Sequence, residues 1–231
     1  MDGQRRGPAF APEEARSLSF HPVAGLCVAV DVHYLGSGAA RAAAVVAADP
    51  AFAHVLAERS AVVPETEPYQ PGQFYRRELP PLRAVLSGIG GMGLLVVDGY
   101  VDLDPHGRPG LGAHAHAEFA VPVVGVAKSA FRTATHALVV LRGSSARPLF
   151  VTSAGMPRAD AAELVRHMAG RFRVPDALRR ADQLARTGPW AAIQESHPGG
   201  GGAAVSDDEG DRPGQGPVSG AGPVADAAGG A

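Results

Sequence analysis

Apolar residues along this chain fall into short unbroken runs separated by glycine, proline and charge. In Gly93-Leu94-Leu95-Val96-Val97-Asp98-Gly99, four consecutive aliphatic residues bracketed by glycines predict a strand buried on both faces, with Asp98 at its carboxyl edge. Leu26-Cys27-Val28-Ala29-Val30-Asp31 has the same design. That first strand is expected to run to Val32. A two-glycine loop over His33–Gly38 then leads to a returning strand, Ala40–Ala48, and a third, Phe52–Val62, in an antiparallel meander. The alanine content of the last two leaves helix open as an alternative. Val121–Lys128 reads as another buried strand with a polar end, and Ala137–Arg142 with Pro148–Thr152 as a pair joined across Gly143-Ser144-Ser145.

Between these runs the pattern changes. Pro64–Gly72, with three prolines and a glycine, predicts a stiff loop. Pro80-Pro81 precede a short helix, Leu82–Leu86, stopped by Gly88, Gly90 and Gly91. Asp102–Ala113 is rich in Gly, Pro and His and reads as a loop. Asp160 and Glu163 form a capping box for a helix over Ala161–Met168, with Leu164, Val165 and Met168 on one face. A last helix is expected over Arg179–Arg186, and a helical turn or two over Glu13–Leu18. From about Pro198 the chain turns to Gly, Ala, Pro and Asp, too poor in large apolar residues to order itself. The expected organisation is an N-terminal extension (1–20), one α/β domain (21–194) and a disordered tail (195–231).

With 231 residues, 45% of them hydrophobic, one domain can bury a real core. Cys27 is the only cysteine, which excludes an intrachain disulfide or a Cys-based zinc site and favours a reducing, cytoplasmic setting. Arg5-Arg6 is followed by Gly-Pro and no apolar core, so no targeting signal is expected, and no run reaches the roughly 18 apolar residues of a membrane span. The net charge of −2 is uneven. From Glu195 onward there are six acids and one base, leaving residues 1–194 with twenty bases and seventeen acids, a balance compatible with a polyanionic substrate. Lys128 is the one lysine among arginines, which suits a crowded phosphate-bearing pocket that a compact charge fits better than a guanidinium.

Asp-Gly often only starts a turn. Two buried strands that each end in Asp, however, can set Asp31 and Asp98 side by side, and like charges that close are costly without a cation between them, which points to a divalent metal site. His114-Ala115-His116 suggests zinc, but no Cys and no third spaced His complete such a site, so His116 reads as structural. Glu78, beside Arg76 and Arg77, could be a solvated charge.

An ordered set of motifs adds to this reading: Val30-Asp31; Tyr69-Gln70-Pro71-Gly72 with Arg77-Glu78; Val97-Asp98-Gly99; Gly125-Val126-Ala127-Lys128; Pro148-Leu149-Phe150-Val151; and Arg173-Val174-Pro175 with Arg179 and Ala181-Asp182. Over about Leu26–Arg186 the set resembles the endonuclease V family of deoxyinosine-directed nucleases. The resemblance implies a ribonuclease H-like mixed β-sheet flanked by helices. It implies that Asp31, Glu78 and Asp98 bind metal, that Lys128 serves catalysis at the scissile phosphate, and that Arg77, Gly99 and His114 meet the substrate. Tyr69, Gln70, Pro71 and Gly72 resemble the family's wedge, where a proline-stiffened loop suits the cost of parting bases. The implied cofactor is Mg2+, with Mn2+ able to substitute, because a hard cation suits carboxylate oxygens and substrate phosphate.

The implied partner is DNA or RNA containing inosine, cut by a monomer at the second phosphodiester on the 3′ side to leave 3′-hydroxyl and 5′-phosphate. The chain departs from the family at two places. It reads Ala154-Gly155-Met156 where a Gly-His pair is usual, and Asp104-Pro105 where His-Pro is usual. A thioether is a poor ligand for a hard cation, so Asp104 or His106 is the candidate replacement. A damage-binding protein that lost efficient cutting, and a related nuclease of RNA or branched DNA, remain as alternatives.

Overall fold

The structure, a computed structural model, describes residues 24–36, 38–68, 70 and 73–188. The helical turn over 13–18, the tail, both domain limits, and Tyr69, Pro71 and Gly72 of the wedge lie outside the described residues.

The elements in chain order are β1 (Leu26–Tyr34), β2 (Ala40–Ala47), β3 (Val55–Val63), α1 (Tyr75–Leu86), β4 (Met92–Asp98), α2 (Leu111–Phe119), β5 (Val123–Ala127), β6 (Leu138–Val140), β7 (Leu149–Ala154), α3 (Arg158–His167) and α4 (Asp176–Thr187). The seven strands form one sheet in the order β3-β2-β1-β4-β5-β7-β6. β1, β4 and β5 are parallel neighbours at its centre, and the flanking pairings are antiparallel.

Alternate residues of each central strand enter opposite cores. Cys27, Ala29, Leu94, Val96, Val124 and Val126 pack under α3 and α4. Val28, Val30, Leu95, Val97 and Val123 pack with α1 and Ala115 of α2. Burial on both faces explains the unbroken apolar runs. It also resolves the alanine-rich β2 as a strand: every residue of it is buried, and small side chains let helices lie close on either side.

Four expectations need correction. The helix expected at Leu82–Leu86 begins seven residues earlier, at Tyr75, and carries Pro80 and Pro81 in its interior. Each interior proline costs about 3 kcal/mol in an isolated helix. Burying Leu79, Pro81, Leu82, Val85 and Leu86 on the sheet, at about 1.5–3 kcal/mol per large apolar side chain, outweighs that. The expected loop 102–113 contains the start of α2. Gly110 and Gly112 permit it by lying where a Cβ would come within 2.6 Å of the Tyr100 carbonyl and of Val101. Asp160 and Glu163 form no capping box: α3 starts three residues earlier, Pro157 occupies its N-cap, and Asp160 sits in the first turn, where a carboxylate suits the helix dipole. Finally, Phe52 lies in a turn with φ of 56°, ahead of β3 rather than within it.

No helix among the described residues is long and apolar enough to cross a membrane. Cys27 is buried and free.

The segment after β4 is anchored by one buried side chain. Thr152 on β7 accepts the Val101 backbone N–H at 2.8 Å through Oγ1. Thr152→Val keeps the volume but leaves that N–H without a partner. It should lower unfolding free energy by about 1–3 kcal/mol in urea titration, whereas a change within 0.5 kcal/mol would show the bond to be dispensable.

Candidate active site

The register of β1 against β4 pairs Val30 with Val97, so Asp31 and Asp98 follow side by side at the carboxyl ends of adjacent parallel strands. Both continue the alternation that places Ala29 and Val96 under α4. Lys128, just beyond β5, is on the same alternation as Val124 and Val126, and its ammonium forms an ion pair with Asp98. Glu78 arrives from α1 and is 8% exposed. Its carboxylate Oε1 accepts a bond from the Tyr34 hydroxyl at 3.5 Å.

Electrostatics unite these groups. Burial pushes the Asp31 carboxyl up to about 7, the Asp98 charge and a hydrogen bond with the Asp182 carboxyl adding to it while the Val32 N–H and Lys128 oppose it. Glu78 is pushed up to about 8 by burial and then by the charges of Asp31 and Asp98. Burial works against the Lys128 charge, yet its bond to Asp98 and the fields of Asp31 and Asp182 hold the ammonium above its ordinary value. The result is a knot of four acids and one lysine.

Asp182 is the member that sequence reasoning passed over as a site residue. It lies on α4 beside the buried Ala181, and only the packing of α4 on β1 and β2 brings it to Asp31. Its one signal was the Ala181-Asp182 motif. Asp104, by contrast, does not reach the knot. Its carboxylate accepts the backbone N–H groups of His106 and Arg108 at 3.0 and 3.1 Å and pairs with Arg108 at 3.3 Å. Those backbone bonds, Arg108 first, hold it below the ordinary carboxylate range. Met156 packs against the core under α3. Asp104 is thus saturated by its own turn, and Met156 is apolar packing.

Arg77 sits behind Tyr34. Its guanidinium lies 4.2 Å from the Tyr34 ring centroid, a cation–π contact that braces the tyrosine bound to Glu78. His114 stacks on Tyr75 with centroids 3.5 Å apart and planes 16° from parallel, and burial holds it below its ordinary value. It supports a wall of the cavity described next without lining it. His116 Nδ1 is 2.7 Å from the Val121 carbonyl, tying α2 to the approach to β5. Gly99 turns the chain at φ of 147° immediately after Asp98. Gln70, the one described residue of the wedge, is exposed.

Beside Glu78 and Asp98 opens a cavity of about 440 Å³, walled by Tyr75, Gly99, Tyr100, Leu103 and Phe131 with Arg108 among its lining residues. Its aromatic and aliphatic walls offer faces on which a planar ring can stack, in a space large enough to admit a nucleobase.

A family model for Endonuclease V matches residues 13–139. The chain belongs to the endonuclease V family. It is 33% identical over 188 residues to Endonuclease V of Streptomyces avermitilis, a match covering 71% of this chain and 81% of that relative. The crystal structure of the S. avermitilis protein superposes with a TM-score of 0.59 over the same shares. Human ENDOV superposes at 0.56, with 27% identity over 71% of this chain and 83% of its own. A Ciona intestinalis Endonuclease V (D234N), in complex with DNA containing an inosine followed by a ribo-adenosine, shares the fold at 19% identity, with a TM-score of 0.59 over 71% of this chain and 84% of its own. The mixed sheet with flanking helices is therefore the ribonuclease H-like fold of endonuclease V, and the chain is an endonuclease by family.

For a cation, these acids offer hard oxygen donors alone, in surroundings whose negative charge is only partly offset by Lys128. Among the described residues, no three acids, histidines or cysteines already stand around one point at ligand distance. The fit thus rests on donor chemistry and on fields, not on a finished coordination shell.

The raised carboxyls have a consequence for stability. Unfolded carboxyls titrate near 4, whereas Asp31 and Glu78 titrate near 7 and 8 when folded. Between those limits the folded chain binds more protons than the unfolded one, so rising pH destabilises it; below pH 4 the effect is absent. The metal-free chain should lose melting temperature from pH 5 to pH 8, and Asp31→Asn should flatten the decline. A melting temperature that rises across this range would contradict the electrostatic reading.

Proposed function

We propose that this chain is a metal-dependent hydrolase that cuts nucleic acid on the 3′ side of inosine or deoxyinosine, at the second phosphodiester, leaving 3′-hydroxyl and 5′-phosphate. What carries the reading is an aromatic-walled cavity, large enough to admit a base, that Glu78 and Asp98 of the acid cluster also line. A base drawn out of its stack and a phosphodiester nearby in the same strand can then occupy the two places together. The inosine-containing DNA bound by the Ciona relative supports this choice of lesion.

Asp31, Glu78 and Asp98, joined by Asp182, would hold the cation, Mg2+ with Mn2+ as substitute. When bound, such an ion supplies a Lewis acid for phosphate oxygens and lowers the pKa of a bound water. The remaining work falls to side chains of the chain itself. Tyr34 fixes the Glu78 carboxylate from one side, with Arg77 behind it. Lys128 carries its positive charge to the edge of the acid knot, where it can orient the scissile phosphate and offset charge that grows in the transition state. Tyr75, Tyr100 and Phe131 offer stacking faces for the flipped base. The Tyr69–Gly72 loop, entering the stack, would act as the wedge. The chain is expected to work as a monomer.

The deciding experiment incubates the protein with end-labelled strands carrying one deoxyinosine, one inosine in RNA, or neither, in Mg2+, Mn2+ or chelator. The proposal expects cutting one nucleotide beyond the position 3′ to the lesion, with metal only. Binding without cutting in any metal would replace it with a damage-binding role. Asp31→Asn or Asp98→Asn should abolish cutting in Mg2+ while affinity for inosine strands persists, and near-normal cleavage by either would remove the metal assignment.

Lys128→Arg preserves charge but misplaces it. Its single-turnover rate should drop by roughly ten- to a thousandfold, as for one lost preorganised contact. A rate within twofold of wild type would rule out the catalytic role of Lys128.

A further inference from the structure

The chain builds a second concavity, joined to Lys128 through Arg173, that none of the acids of the site lines. It has a volume of about 460 Å³, and its lining includes Ser144, Ser145, Arg171, Phe172, Arg173 and Arg179, with no carboxylate among the lining residues. Its framework is rigid. Arg142, buried, donates to the carbonyls of Arg166, Met168, Gly170, Phe172 and Arg173, so a single side chain pins the whole loop between α3 and α4. Gly143, at φ of 59°, lets the β6–β7 turn press on that loop, since a Cβ there would stand 2.4 Å from the Arg171 carbonyl.

On this framework Phe172 is 46% exposed, and it holds two guanidiniums, those of Arg171 at 4.9 Å and Arg179 at 4.5 Å from its ring centroid. Stacking on a ring restricts an arginine without consuming its N–H donors, so less entropy is lost when an anion binds. Asp176 pairs with Arg179 at 3.0 Å, the one carboxylate opposing the three arginines in these contacts. Arg173 joins the concavity to the active site: its Nη2 donates to the Lys128 carbonyl and, at 2.9 Å, to that of Pro148.

We propose that this concavity is a docking subsite for backbone phosphates of the nucleic-acid strand, adjoining the cleavage centre and reading no base. The proposal rests on the nuclease function above, in that the strand held at Lys128 continues into it. Arg171 and Arg179 supply the contacts, each neutralising one phosphate. Arg173 holds the Lys128 and Pro148 carbonyls through Nη2 and serves as the link between the two places.

The test is equilibrium binding to inosine-containing and control strands of equal length, in chelator, over a series of salt concentrations. Chelator removes cutting from the measurement, so failure of the cleavage assay and failure of this proposal are separable. Arg171→Gln with Arg179→Gln should reduce the slope of log K against log salt by roughly 1.4 on single strands and 1.8 on duplex, two phosphates' worth, with equal loss of affinity for both sequences. Arg171→Lys with Arg179→Lys should retain the wild-type slope. An unchanged slope in the glutamine pair, a loss confined to inosine strands, or a lysine pair that loses slope as the glutamine pair does would each overturn the assignment.

Discussion

Repulsion among carboxylates is the constraint around which this molecule is arranged. Parallel pairing of β1 with β4 forces Asp31 and Asp98 next to each other, and α1 adds Glu78 from a buried helix face. A site of this kind is held together by the sheet, not by its own contacts. The central strands are buried on both faces, so hydrophobic packing across two cores holds the acids at distances they would not choose. Asp31 and Glu78 register that arrangement as carboxyls pushed up first by burial and then by the charges of the neighbouring acids.

The surrounding side chains answer that cost in different ways. Lys128 meets Asp98 with opposite charge, and the Tyr34 hydroxyl gives Glu78 a neutral donor. Arginine elsewhere is put to mechanical use: Arg142 and Arg173 spend guanidinium donors on backbone carbonyls, and Arg41 holds the carbonyls of Ala185 and Arg186 at the end of α4. Arg41 thereby steadies the helix that delivers Asp182. A fork of fixed donors suits such bracing better than the single mobile ammonium of lysine. In this division of labour these arginines build the frame, and the lone lysine faces the acids.

The two concavities differ in chemistry in the same spirit. Next to Glu78 and Asp98 the walls are aromatic and aliphatic, suited to the face of a base; around Phe172 they are cationic, suited to phosphate. Phosphate contacts position a strand and base contacts specify it, so separating the two surfaces lets lesion selection and general affinity be set independently. Lys128 and its backbone lie between them.

The strands were legible because burial on both faces leaves a continuous aliphatic run, and that signal does not depend on neighbours. Asp31 and Asp98 were legible for the same reason, each ending such a run, and Lys128 stood out as the one lysine. Local propensity failed where tertiary contacts outweighed it. Pro80 and Pro81 argued against the helix that carries Glu78, and Gly110 and Gly112 against α2, because the gain from packing on the sheet is invisible in a window of a few residues. The surroundings of Arg77, His114, Asp104 and Asp182 were set only in three dimensions. Each depends on a partner from a distant part of the chain or on the geometry of its own turn: Tyr34, Tyr75, the Asp104–Arg108 turn and Asp31 respectively. A sequence states which charges a chain owns and where its strands run out. Which charges meet is set by the packing of helices on the sheet, where distances of a few ångströms separate a solvated acid from a member of the site.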